Sequence, residues 1–430
     1  MSEHVYPGYR WFVLFVLVFA TVAQGVVLIW PAPLLEHIAQ HYAVDLGAAT
    51  GALMVAFTIF VTVGAIVGGI CCDKFGWVPT LIVSVALLAV STILVPLFGN
   101  GFGTLVLARI LEGAGAGPIM ASVGAVSVQW FPHHERAIVT GVQGMGVSLG
   151  IALGFAFVPM AFVKTGSFLA AASWMSIFPI VGVIFLVIVA LGKKPPVLTA
   201  VEAAEEGDPI NTDQDFKIAT KLPVFYVGIL CVFFLSWVMQ AFNDLTPVYL
   251  AAKAPLGAGH GVEIAGKFMA LVQVSFMIGS VASGFLLEKV FRESNKTVIA
   301  IGFLGAAIFA LSVRAPFVYG NLKVLPVFLF LAGFFQGWIV PTTLAFIAMN
   351  FPSHIVGKLT GIWMGVGIFG GTAGVVVGAG LLHKTGLYHA SIVVVGIVAA
   401  VGFLCALFLN PPTVFKNAVK GKRGLALGGH

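Results

Sequence analysis

Arg109 and Glu112 stand three residues apart in the otherwise uncharged stretch RILEGAGAG. On a helix that spacing puts both side chains on one face, where they can form a local ion pair. An uncompensated charge inside a membrane span costs about 2.5–3.5 kcal/mol even on the lenient insertion scale, so Arg109 must face a partner or a cavity. A tight pair is structural. A pair in which Glu112 takes a proton frees Arg109 to hold an anion. Apolar runs also hold Gln24, Gln143, Gln240, Gln273 and Gln336, with Asn243 and Asp244 late in one of them. Such amides either bind a solute or join helices, the latter worth about 0.6 kcal/mol and up to about 1.7. Asp244 either carries a proton or marks the outer mouth, because about 21 residues at a rise of 1.5 Å put it roughly 31 Å along its helix.

Other chemistries find no support. His133, His134 and Glu135 have no fourth metal ligand nearby, and their place in a polar loop suits solvated side chains. No Walker loop, nucleophile elbow or HExxH occurs, so the expectation is a protein that is not an enzyme and needs no cofactor or metal. Cys71, Cys72, Cys231 and Cys405 lack zinc or disulfide spacing and read as small packing residues.

The elements that must position these groups follow from composition. Of 430 residues, 60% are hydrophobic and 9% charged, and the mean hydropathy is +1.07. A soluble domain would expose large apolar patches at that level, so the chain is read as an integral membrane protein. Its apolar runs are long and continuous, which fits helices and not barrel strands. Spans are expected near 11–34, 48–72, 79–98, 104–130, 137–163 and 168–192, then 223–249, 263–287, 297–313, 323–349, 357–382 and 387–410. The expected fold is all-α, with twelve transmembrane helices in two pseudo-symmetric six-helix bundles over 1–192 and 223–410. Residues 193–222 read as a solvated linker without apolar periodicity, and 411–430 as a tail. The first run reads as a retained span and not a signal peptide. Of the 22 Lys and Arg, fifteen fall in loops on the side of the N terminus, six on the other side, and Arg109 lies within a span. That bias places both termini and the linker in the cytoplasm and accounts for the net charge of +6 without nucleic acid.

The second half repeats the first. At a shift of 220, Phe131, Pro132, His134, Thr140, Gly141 and Gly150 fall on Phe351, Pro352, His354, Thr360, Gly361 and Gly370, and Gly113 and Gly117 on Gly333 and Gly337. At 215, Gly69, Asp73 and Lys74 fall on Gly284, Glu288 and Lys289, and at 216 Gln24 and Pro31 fall on Gln240 and Pro247. Three nearly equal shifts in chain order indicate internal duplication.

GGICCDKFGW resembles the loop signature between the second and third helices of the major facilitator superfamily, through Gly69, Asp73, Lys74 and Gly76. RILEGAGAG resembles the arginine motif of that family's fourth helix, through Arg109, Gly113 and Gly117. WFPHHERA is similar to the fourth-to-fifth loop of its anion–cation symporter group. The chain departs from the pattern at Trp77 and Val78, where the family usually has basic residues; it lacks the GP pair of the antiporter signature, and it lacks the basic residue that the family's oxalate and monocarboxylate carriers usually hold deep in the eighth or eleventh span. The resemblance implies alternating access about a site near the bilayer midplane. It also implies gating by Asp73 and Glu288, which would meet helix dipoles and a base such as Arg136, with Lys74 and Lys289 beside them. The expectation is therefore an inner-membrane secondary transporter, monomeric and lipid-embedded, that takes up a small organic anion such as a carboxylate with protons. Carriers of neutral or zwitterionic solutes, exporters of amphiphiles and a transporter-like receptor are the alternatives.

Overall fold

The computed structural model describes residues 7–132, 135–193, 209–292 and 294–415. Among them, eleven helices are long and apolar enough to cross a membrane, one shorter apolar helix lies at Trp77–Ile93, and there is no strand. Numbered in chain order, the spans are Arg10–His41, Leu46–Phe75, Trp77–Ile93, Phe102–Trp130, Arg136–Thr165 and Phe168–Leu191. Pro223–Ala251, Val262–Val290, Asn295–Ser312, Leu325–Asn350, Lys358–Thr385 and Tyr388–Ala406 follow. Twelve spans are thus present where apolar runs predict them.

Breaks within and between spans have local causes. Continuous α-helix in the first span ends at Ile29, is followed by a 3₁₀ turn over Ala32–Leu34, and resumes at Leu35–His41. Pro31 and Pro33 cannot donate to the carbonyls of Val27 and Ile29, four residues earlier, so the α pattern fails there. Asp45 starts the second span by accepting a hydrogen bond from the Ala48 amide at 2.9 Å. Gly76, at φ 88°, ends it in a conformation that glycine adopts without strain.

Duplication extends to packing register. A methyl group added to Gly64 of the second span would strike the Ala114 carbonyl of the fourth, and one on Gly117 would strike that of Val61. In the second half, Gly279 lies on the Phe334 carbonyl and Gly337 on that of Phe276, the positions that shifts of 215 and 220 demand. Small residues let these backbones touch. The first and seventh spans repeat less faithfully: Gly150 lies on the Val22 carbonyl, whereas Gly370 lies on that of Phe233 and not Val238.

The chain divides into two compact units whose boundaries are not those of the sequence halves. One comprises Met1–Val197, Asn243–Val274 and Val375–Ser391; the other comprises Leu198–Phe242, Ser275–Gly374 and Ile392–His430. The first therefore collects the later part of the seventh span, the early part of the eighth and the end of the eleventh. Contacts inside it include Gly47 against Ala379 and His383, and Gly266 against the Phe155 carbonyl.

The expectation of a solvated linker through 222 needs correction. Pro209–Lys221 forms a helix. Ala219 is fully buried in the second unit's core, with Phe216, Ile218 and Leu222 packed against the same cluster. Burying these four offsets the helix's polar composition, so tertiary packing decides its structure. Residues 194–208 lie outside the described residues.

Candidate functional site

The site begins at the proline break of the first span. Because Pro31 has no N–H, the Val27 carbonyl loses its helical donor, and the last helical carbonyls lack partners by position. Arg109 of the fourth span supplies them. Its Nη1 donates to the Val27 oxygen at 2.8 Å and its Nη2 to the Leu28 oxygen at 2.8 Å, while Nε donates to the Leu53 oxygen of the second span at 3.2 Å. A guanidinium suits this place, since its fork reaches several acceptors and a cation complements a helix C-terminus. Phe57 lies under the guanidinium at 4.4 Å from its ring centroid.

The expected ion pair is formed. Arg109 Nη1 also donates to Glu112 Oε2 at 2.6 Å, and both side chains are wholly buried. Trp30 Nε1 donates to the same oxygen at 3.2 Å, which ties Glu112 to the proline break. Glu112 Oε1 has no hydrogen-bond partner among the described residues. Arg109 therefore spends each of its three nitrogens on protein acceptors.

Asp244 lies in the same unit as this pair. It is fully buried and within electrostatic reach of Arg109. Counting residues along the seventh span gives depth in one helix but not what packs beside it, and Asn243–Val274 belongs to the same unit as the fourth span. Next to it, Asn243 Oδ1 accepts from Gln273 Nε2 at 2.7 Å across the seventh and eighth spans.

The amides divide between the two units. In the first, Gln24, Gln143 and Gln273 are buried, and Gln24 Oε1, Gln143 Nε2 and Gln273 Oε1 have no partner among the described residues. Gln24 and Gln143 sit on spans that touch at Gly25, Gly146 and Gly150. In the second, Gln336 is buried with Nε2 unpartnered, and Gln240 packs on Gly371 of the eleventh span. Buried polar atoms are usually satisfied, so these amides are able to meet a polar ligand, although Trp130, Trp338, Thr342, Trp363 and Tyr388 also hold unpartnered polar atoms among the described residues.

The residues of the gating expectation lie apart from this interior. Asp73, Lys74, Glu288 and Lys289 are exposed, and among the described residues neither acid has an ion-pair partner. Gly69 and Gly284, the duplicated glycines before them, have open space at the Cβ position. Gly76 caps the second span, and the Arg136 side chain lies outside the described residues, as do His133 and His134. Glu135 pairs instead with Arg10 at 2.9 Å. Lys267, near the start of the eighth span, pairs with Glu263 at 2.8 Å.

Two features escaped the sequence reading. Trp30 was invisible as a ligand of Glu112, although Pro31 four residues after Val27 signals a carbonyl that needs a donor. Asp45 and His383, 338 residues apart, meet at 2.7 Å within the first unit. Partial burial works against ionisation of Asp45, but the Ala48 amide and His383 outweigh it and hold the carboxyl below its usual range.

Comparison with known proteins agrees with this architecture. The family model described as Major Facilitator Superfamily matches residues 11–312 and 292–427. A probable sulfoacetate transporter, SauU, of Cupriavidus necator is 25% identical over 390 residues, covering 85% of this chain and 87% of that protein. A hexuronate transporter of Bacillus subtilis is 26% identical over 279 residues, 62% of this chain and 60% of that one. Among solved structures, a bacterial homologue of the human lysosomal transporter Spinster, in an inward-facing and unoccupied conformation, aligns with a TM-score of 0.73 at 16% identity, covering 94% and 97% of the two chains. A D-xylose–proton symporter aligns with a TM-score of 0.71 at 19% identity and the same coverage. With the family model matching almost end to end on twelve duplicated spans, the chain belongs to the major facilitator superfamily and is a multi-span membrane transporter, not an enzyme.

Proposed function

We propose that this transporter moves a small organic anion together with a proton by alternating access, and that Glu112 and Asp244 share the coupling proton. One observation carries the reading. Arg109, Glu112 and Asp244 are all fully buried, and one base faces two acids. Burying an unpaired charge is far costlier than burying a neutral pair, so a proton taken by Glu112 and an anion taken by Arg109 must arrive together. The Glu112 oxygen that accepts from neither Arg109 nor Trp30 is the place where a proton leaves both of those bonds in place.

The cycle follows from this balance. A proton on Glu112 loosens its bond to Arg109 and leaves the guanidinium able to hold a carboxylate beside Gln24, Gln143 and the Asn243–Gln273 pair. Release of the proton restores the ion pair and displaces the anion. Asp73 and Glu288 act in gating, each followed in the chain by a lysine, Lys74 and Lys289, with Gly69 and Gly76 shaping the first loop. The relatives named above for sulfoacetate and hexuronate support an anionic substrate. The reading places a monomer in the inner membrane with both ends cytoplasmic.

A second reading has its own support. Since every nitrogen of Arg109 is already engaged, a neutral or zwitterionic solute held by amides alone needs no rearrangement of the pair. Uptake of a panel of carboxylates, amino acids and sugars into proteoliposomes, with a pH-sensitive dye inside, separates the two. Acid-dependent proton entry is expected. Glu112→Gln should abolish uphill uptake and leave counterflow exchange intact, whereas equal loss of both would make the pair structural and sink the coupling scheme.

A further inference from the structure

The duplicated loop after the second and eighth spans differs at one position with a structural result. In the first half, the indole of Trp77 is 4% exposed and donates to Gln129 Oε1 at 3.1 Å, so the groove between the loop and the end of the fourth span is filled. The shifts that align the halves put Arg292 where Trp77 stands and Met349 where Gln129 stands. Arg292 turns outward, exposed, on a backbone with φ 48°. The groove it leaves is a cavity of about 290 Å³ lined by Arg292, Ser294, Asn295, Lys296, Met349 and Asn350, with the ends of the tenth and twelfth spans behind.

We propose that this cavity binds the phosphate of an anionic phospholipid headgroup. Two cations border it, and no described carboxylate does. Lys296 Nζ is held over the cavity by a 3.0 Å bond to Asn410 Oδ1, which leaves it further donors. The ninth span starts here, so its first amides and helix dipole add to the attraction for an anion. Phe346, Leu409 and Pro411 complete the wall with apolar surface suited to glycerol and the first acyl carbons. The volume lies near the lower end of the range of roughly 300–1,000 Å³ usual for ligand pockets. A basic pocket between the ends of membrane helices lies at headgroup depth, which favours a lipid over a free anion.

The test uses the full chain, purified in detergent and offered phosphatidylglycerol or phosphatidylcholine in native mass spectrometry. Phosphatidylglycerol should be retained in preference to phosphatidylcholine, and retention should fall about fivefold for each basic side chain removed in R292A and K296A. R292W combined with M349Q rebuilds the first half's plug and should abolish retention without removing Lys296. Thermal unfolding of each variant reports folding, and R292K, which keeps the charge, should retain most of the lipid. Unchanged retention in R292A/K296A and in the rebuilt plug overturns the proposal. Inorganic phosphate that protects the lipid-depleted protein as well as short-chain phosphatidylglycerol does would overturn the lipid source.

Discussion

Pro31 and Pro247 occupy matching places in the first and seventh spans, and each withdraws a hydrogen bond from the carbonyl four residues before it, Val27 in one half and Asn243 in the other. In the first half a buried cation answers, Arg109, which then needs Glu112. In the second half the corresponding positions are Leu329 and Ala332, both fully buried and uncharged, and the buried polar groups near the proline include the amides Asn243 and Gln273 and the carboxyl of Asp244. One duplicated scaffold thus carries two kinds of chemistry. Symmetry in this fold therefore belongs to the backbone packing, while the buried ion pair Arg109–Glu112 occurs in the first half, with Asp244 of the second within electrostatic reach of Arg109.

Exchanging the halves' chemistry gives the largest expected effect. Arg109→Leu, which writes the second half's residue into the first, leaves Glu112 buried without its cation and should cost about 3–5 kcal/mol in thermal unfolding. A loss below about 1 kcal/mol would mean that Glu112 is protonated in the resting protein and that the charge asymmetry is slight. In the second half, Gln273→Ala breaks an amide contact worth only about 0.6 kcal/mol and at most about 1.7, so stability should barely change while substrate affinity falls. A stability loss as large as that of Arg109→Leu would erase the distinction between the halves. The smallest effect concerns Asp45 and His383, a pair present once, since Val163 stands where His383 would repeat. Both side chains are substantially exposed, so Asp45→Asn should cost about 0.2–1 kcal/mol. Because the native carboxyl titrates below its ordinary value, its contribution exists above about pH 4 and disappears as the pH falls through the lowered value. The variant and parent should therefore differ at about pH 5 and draw together as the pH falls below the ordinary carboxyl range, and a gap that widens on acidification would contradict the pairing.

Much of this was legible in the sequence because it is local or repeated. Twelve apolar runs set the spans, the three shifts anticipated the Gly64–Ala114 and Gly279–Phe334 seats, and a spacing of three was enough to pair Arg109 with Glu112. What escaped depends on contacts between distant segments. The reach of Asp244 to Arg109 depends on how separate spans pack, and Trp30 and His383 acquire meaning only through residues 82 and 338 positions away. The helix at Pro209–Lys221 was hidden by polar neighbours, since Phe216, Ile218, Ala219 and Leu222 make a stripe only against a surface that receives them.

The glycine seats constrain how such a machine can work. Where Gly64 and Gly117 press backbone against backbone, and Gly279 and Gly337 do so again, no side chain remains between the helices to change rotamer and let them slip. The second and fourth spans must travel as one strut, as must the eighth and tenth. Fluorophores placed on the two members of either strut should keep a constant separation through turnover, and the moving parts must be sought at other seams.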